Sequence, residues 1–135
     1  GDVITGFEAG AGGDIIDFTT PDSQMAATDP TTVFDTDTTI DDTTGVIVHG
    51  TTVTQGASAT VAQATAALTV GTFDAAGSTN DTVYIAFDDA THTYIGVLDL
   101  NAGDNGFTGD TLTIICTLNN VLADALTAAN FADFT

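Results

Sequence analysis

Eighteen aspartates, one glutamate (Glu8) and no lysine or arginine are the side chains with which this chain of 135 residues could do chemistry. Their grouping favours holding a hard divalent cation over breaking bonds. Calcium takes about six to eight oxygen ligands from carboxylates, amide side chains and backbone carbonyls, and glycine-punctuated Asp loops supply all three. Candidate ligands fall in three places. Asp14 and Asp17 follow Gly10-Ala11-Gly12-Gly13, Asp88 and Asp89 open the run Asp88-Asp89-Ala90-Thr91-His92, and Asp99, Asn101, Asp104 and Asp110 share the stretch from 99 to 110. That stretch is not an EF-hand. Counted from Asp99, Asp104 falls where the turn glycine belongs and no glutamate closes the loop. At each place the alternative is an ordinary acidic turn stabilised by Asx hydrogen bonds.

Other chemistries fail on residue type and spacing. His49, His92 and Cys116 contain no pair at zinc-ligand spacing. Asp41-Asp42 and Asp88-Asp89 are sequence neighbours whose side chains diverge on a strand, and the chain has no Trp to hold a sugar. Asp42-Thr43-Thr44-Gly45 is not the Asp-Thr-Gly of aspartic proteases, and no Gly-x-Ser-x-Gly occurs. The chain is expected not to be an enzyme.

The elements that must position these loops are mostly strands. Thr is the commonest residue at 28, and Thr, Val and Ile favour strands while Gly, Asp and Asn interrupt them. Strands are expected at Val3–Phe7, Asp14–Phe18, Val46–Val53, Thr82–Phe87, Thr93–Leu100 and Thr111–Leu118. In the fourth, Val83, Ile85 and Phe87 share one face and Thr82, Tyr84 and Ala86 the other. Tyr94–Leu100 is apolar on both faces at its centre, the pattern of a buried strand. Asp88–His92 between them reads as a hairpin loop. Two helices are expected. Ala57–Leu68 is Ala-rich with Ser58 or Thr60 as N-cap, and Val61 and Leu68 share a face. Val121–Phe131 places Leu122, Leu126 and Ala129 on one side. Residues 19–44, anchored only by Met25, Val33, Phe34 and Ile40, read as a long loop or edge-strand region. Cys116 is expected to be a buried, inert strand residue.

The opening, Gly1-Asp2-Val3-Ile4-Thr5-Gly6-Phe7 followed by Gly12-Gly13-Asp14-Ile15-Ile16-Asp17-Phe18, resembles the segment that closes an RTX calcium β-roll in type I-secreted bacterial proteins. The hairpin Val83–Gly96 and the closing run Leu126–Thr135 are similar to C-terminal regions of such proteins. The resemblance implies export through a type I channel and calcium-driven folding outside the cell. No array of Gly-Gly-x-Gly-x-Asp repeats is present, and one degenerate copy cannot stack on itself. Either repeats precede this piece in a longer protein, as the start on Gly1 allows, or neighbouring copies supply the stack.

The charge sets the remaining limits. A formal net charge of −19 excludes DNA or RNA binding, which needs Lys and Arg, and disfavours anionic lipid. No apolar run reaches the roughly 18 residues of a membrane span, so direct insertion is not expected. A halophile's acidic surface would use Glu as freely as Asp, so the bias to Asp speaks for ligand geometry. With 43% hydrophobic residues and a mean hydropathy of +0.25, the chain can bury a core. The expectation is therefore one extracellular domain over residues 1–135, mainly β. It has a β-roll-like opening over 1–18 and a β-sandwich with one or two short helices over 45–135. Its expected role is that of a non-catalytic, Ca²⁺-dependent structural subunit that associates with copies of itself in a filament, surface layer or matrix fibre. The alternative is the C-terminal secretion or cap domain of a larger RTX-type enzyme or adhesin.

Overall fold

The computed structural model describes residues 1–18, 32–35, 39–40, 44–48, 52–70, 81–100 and 107–132. In chain order the strands are β1 (Asp2–Thr5), β2 (Ile16–Asp17), β3 (Thr32–Asp35), β4 (Thr39–Ile40), β5 (Thr44–Val48), β6 (Thr69–Val70), β7 (Asp81–Asp88), β8 (His92–Leu100), β9 (Thr111–Asn119) and β10 (Phe131–Ala132). The domain is mainly β, with a single four-residue α-helix, α1 (Val61–Ala64), and short 3-10 turns among the described residues.

Six strands form one sheet in the order β1-β9-β8-β7-β5-β3. Its centre is the antiparallel meander β7-β8-β9, and β1, β5 and β3 are added in parallel at the two sides. Parallel neighbours need crossovers, and β1 joins β9 and β5 joins β7 from distant parts of the chain, although only eight residues separate β3 from β5. Two small parallel ladders, β10 on β2 and β4 on β6, complete the pairing.

The alternation in β7 divides the interior. Val83, Ile85 and Phe87 enter one apolar cluster with Val53, Ala64, Leu68, Tyr94 and Leu98. Tyr84 and Ala86 enter the other with Phe7, Phe18, Ile95, Leu118 and Phe131. The central sheet is thus covered on both faces, and every residue from Val83 to Asp88 is buried. Strand β9 serves both clusters through one irregularity. Ile95 pairs with Cys116 but Gly96 pairs with Ile114, so Ile115 is an extra residue, a β-bulge. Because side chains alternate with period two, the bulge moves the even-numbered residues across the sheet. Leu112 and Ile114 pack on one cluster, Cys116 and Leu118 on the other.

The expected helices are mostly replaced by tighter turns. Over Ala57–Leu68 only Val61–Ala64 is α-helical, preceded by a 3-10 turn at Gly56–Ser58. Thr60 is the N-cap, with a capping box to Gln63. Thr65 Oγ1 donates to the Val61 carbonyl at 2.6 Å as the helix ends. Leu68 is buried and Val61 packs against the same cluster. In place of a helix at Val121–Phe131, two 3-10 turns, Ala123–Ala125 and Ala128–Asn130, lead into β10. Leu122 and Leu126 do not share a face there: Leu122 is 42% exposed and Leu126 4%. Of residues 19–44, β3 is an edge strand of the large sheet, and Met25 lies outside the described residues.

The first and last described segments meet. Asp2–Thr5 runs beside Cys116–Asn119, and Ile16–Asp17 beside Phe131–Ala132. The Phe18 ring stacks on Tyr84 with centroids 3.9 Å apart and lies near-parallel to Phe131 at 6.3 Å. Full burial of one such ring stabilises by about 2–3 kcal/mol, enough to fix a two-residue strand that propensity alone would not hold.

Candidate functional site

The three acidic loops end up in three different chemical settings. In the first, the chain turns sharply between β1 and β2. The Asp14 N–H donates to the Glu8 carbonyl at 2.8 Å, and Asp14 Oδ2 accepts the Glu8 N–H at 2.9 Å. A Cβ on Gly13 would run into the Glu8 carbonyl oxygen, so only glycine lets the two limbs approach this closely. The turn is held from inside by Asn130, which is fully buried. Its Nδ2 donates towards the carbonyls of Asp14 (2.8 Å), Gly10 (3.3 Å) and Glu8 (3.4 Å). Its Oδ1 accepts from the N–H of Gly10 (2.8 Å) and of Thr127 (3.0 Å). Asp17 lies on β2 and is exposed. With Asp2, Ile4, Asp14, Ile15 and Cys116 it lines an open groove of about 490 Å³. Cys116 is buried, and that burial, with the Asp2 carboxylate beside it, pushes the thiol pKa up, away from the reactive thiolate.

The second setting is the β7-β8 hairpin. Asp88 is 6% exposed and binds three separate pieces of chain. Its Oδ1 accepts from Thr52 Oγ1 (3.2 Å) and the Ala90 N–H (2.9 Å), and its Oδ2 from the Ala123 N–H (3.1 Å). Asp89 Oδ1 accepts from the N–H groups of Thr91 (3.0 Å) and His92 (2.8 Å), and Oδ2 from Tyr94 Oη (2.7 Å). The His92 Nδ1 lies 3.5 Å from Asp89 Oδ1. Burial alone would raise the Asp89 carboxyl, but these hydrogen bonds and the His92 charge outweigh it and hold it below its ordinary value. Burial, then the Asp89 hydrogen bond and negative charge, push the Tyr94 phenol up to about 12. A Cβ on Gly56 would come within 2.8 Å of Tyr94 Oη, so a glycine at φ 52° closes this corner.

The third setting is the far end of the β8-β9 hairpin. Asp99 lies on β8 opposite Thr111, the first residue of β9, and Asp110 precedes Thr111 in the chain. Asp99 Oδ1 is buried and meets no hydrogen-bond donor among the described residues. A buried carboxylate oxygen without a donor is costly, and a cation is one means of satisfying it. Asn101 and Asp104, the other expected ligands of this stretch, lie outside the described residues, as does His49.

Asp14 and Asp17 are therefore brought to one groove, Asp88 and Asp89 to one hairpin, and Asp99 and Asp110 to one strand end. No group of three or more His, Cys, Asp or Glu side chains that could hold a metal ion forms among the described residues. Among them too, no helix is long and apolar enough to cross a membrane. Sequence reasoning overlooked Thr52, Tyr94 and Asn130. The Thr127–Asn130 spacing is a capping-box signal that could have flagged Asn130, but the partners of Thr52 and Tyr94 carry no local signature. Searches of protein-family models, of curated proteins and of solved structures each return no match.

Proposed function

We propose that this domain is a non-catalytic structural subunit of a bacterial extracellular assembly, which joins its copies by adding strands to an open sheet edge in the presence of calcium. The observation that carries the reading is the state of strand β1. Strand β1 has a hydrogen-bonded neighbour, β9, on one side alone among the described residues. Val3 and Ile15 are 63% and 60% exposed, and Ile4 is 38% exposed. An open edge beside exposed aliphatic side chains is a template for strand addition once its charges are screened. Association that uses different edges of each copy gives filaments wherever the rotation between copies does not close a ring. Asp2, Asp14 and Asp17 surround that edge, so two copies at −19 each repel until cations screen or bridge them.

The same edge supports a second reading. Its parallel stacking, β1 on β9 and β2 on β10, is the manner in which one coil of a β-roll lies on the next. A roll of calcium repeats in a longer protein would continue from that coil, making this domain its cap and secretion segment.

Light scattering and far-ultraviolet circular dichroism, in EDTA and through a calcium titration with magnesium as control, test both readings. Large ordered particles that appear with calcium and vanish in the Val3→Asp variant support the assembly. A chain that folds with calcium yet stays monomeric favours the cap. A well-folded monomer indifferent to EDTA would remove calcium from either account.

A further inference from the structure

We propose that the Asn130 side-chain amide is a built-in substitute for a cation, and that the Glu8–Asp14 turn is a latent divalent-cation site which the single substitution Asn130→Asp would open. The inference goes beyond the assembly reading, because it stands whether or not the unaltered chain needs calcium.

Three backbone carbonyl oxygens, from Glu8, Gly10 and Asp14, converge on one buried point. Backbone carbonyls aimed at a common centre are characteristic calcium ligands, and their negative ends repel unless something positive lies between them. Here that centre is Asn130 Nδ2, whose two hydrogens carry partial positive charge and are shared among three acceptors. The other end of the amide is equally engaged, since Oδ1 accepts from Gly10 N–H, Thr127 N–H and, at 3.2 Å, Thr127 Oγ1. The amide is thus held in one orientation, with nitrogen facing the carbonyls and oxygen facing the N–H groups. The backbone that carries it is fixed by the 3-10 turn Ala128–Asn130, whose Asn130 N–H donates to the Thr127 carbonyl at 2.9 Å.

A carboxylate at position 130 would keep the accepting oxygen and replace the donating nitrogen with a second oxygen. Four oxygens would then face one another with no hydrogen between them. A divalent cation at their centre relieves the repulsion. The Asp14, Gly10 and Glu8 carbonyls lie 2.8, 3.3 and 3.4 Å from the position the new oxygen would take, so they must spread to admit an ion at calcium–oxygen distances of about 2.3–2.6 Å, which a turn built on Gly10, Gly12 and Gly13 permits.

The test compares the full chain with Asn130→Asp and Asn130→Ala. Bound calcium at saturation is counted by isothermal titration, and hydrogen exchange follows the N–H groups of Gly10, Gly13 and Asp14. We expect Asn130→Asp to bind one calcium ion more than the unaltered chain, whatever number that chain binds. In EDTA its turn should exchange faster than in the unaltered chain under the same conditions, or at the same rate where that chain is itself unfolded. Millimolar calcium should restore protection in Asn130→Asp but not in Asn130→Ala. An unchanged calcium count in Asn130→Asp, or a turn that stays unprotected at saturating calcium, would overturn the proposal. Failure of the assembly reading is seen separately, in the scattering of the unaltered chain, and leaves this count untouched.

Discussion

Strand β8 carries acidic loops at both of its ends, and the two are chemically opposite. At the Asp88–Asp89 end, both oxygens of each carboxylate accept from donors supplied by the chain: three for Asp88, and three plus the nearby His92 ring for Asp89. At the Asp99 end, a buried carboxylate oxygen finds no donor among the described residues. Aspartates that look alike in sequence thus divide into those whose oxygens the fold occupies and one, Asp99, with a buried oxygen that meets no donor among the described residues. The first kind acts as a staple between pieces of chain. The second holds a buried oxygen without a donor among the described residues, a place where a bound cation would alter stability.

The largest effect is expected where the fold consumes the carboxylate. Asp88→Ala leaves the buried Ala123 N–H without its acceptor and detaches Thr52 from the hairpin. The loss should be about 3 kcal/mol, since hydrogen bonds to a charged group contribute roughly 1.5–3 kcal/mol and a stranded buried donor adds its own cost. Urea unfolding with and without calcium reads this directly: the midpoint should drop equally in both. A drop confined to calcium-containing buffer would make Asp88 an ion ligand and erase the contrast between the two ends.

Tyr94→Phe is the next step down, at about 1 kcal/mol for one lost hydrogen bond, and its signature is in the pH profile. Asp89 is depressed in the folded state, so its stabilisation is present above the ordinary carboxyl value of 3.8 and is lost as pH falls through the lower folded value. Tyr94 is raised, so its stabilisation is complete below 10.0 and disappears as pH rises from there through about 12. Removing the phenol should move the acid limb of the unfolding midpoint upward and abolish Tyr94's share of the alkaline limb. Superimposable profiles for the two proteins would mean that the Tyr94–Asp89 hydrogen bond does not set the Asp89 charge.

What the sequence made legible was local. The strands at 81–88, 92–100 and 111–119 lie within a residue or two of their expected positions, because runs of Val, Ile, Thr and aromatics bounded by Asp and Gly state their period plainly. Tyr94–Leu100, read as apolar on both faces, does send side chains into both clusters, Ile95 into one and Tyr94, Leu98 and Leu100 into the other. Less legible was whatever depends on a distant partner. Val121–Phe131 has the spacing of a helix, yet Asn130 is drawn to carbonyls more than 115 residues away, and β10 pairs with β2 in place of a further helical turn. The bulge at Ile115 is equally silent, because an Ile-Ile pair in a strand does not state which of them is extra. The acidic loops were visible as acidic. Which oxygens the fold would occupy was not, since Thr52 and Ala123 reach Asp88 from 36 and 35 residues away.

The smallest effect, and the one most particular to the open end, belongs to Asp99→Asn. In EDTA the substitution removes a carboxylate of which one oxygen is buried without a donor among the described residues, and supplies an N–H₂ group in its place. Stability should hold or rise by up to about 1 kcal/mol, where the same change at Asp88 would lower it. Calcium should reverse the ranking. If an ion sits at the Asp99 end, the unaltered protein gains stability as calcium rises, following the ratio of free ion to dissociation constant. The Asp99→Asn variant gains less, because an amide oxygen carries no full charge. Thermal midpoints of the two proteins across a calcium titration should therefore cross. Parallel curves would leave the buried oxygen of Asp99 as a cost the fold carries without an ion, and both ends of β8 would then be structural for different reasons.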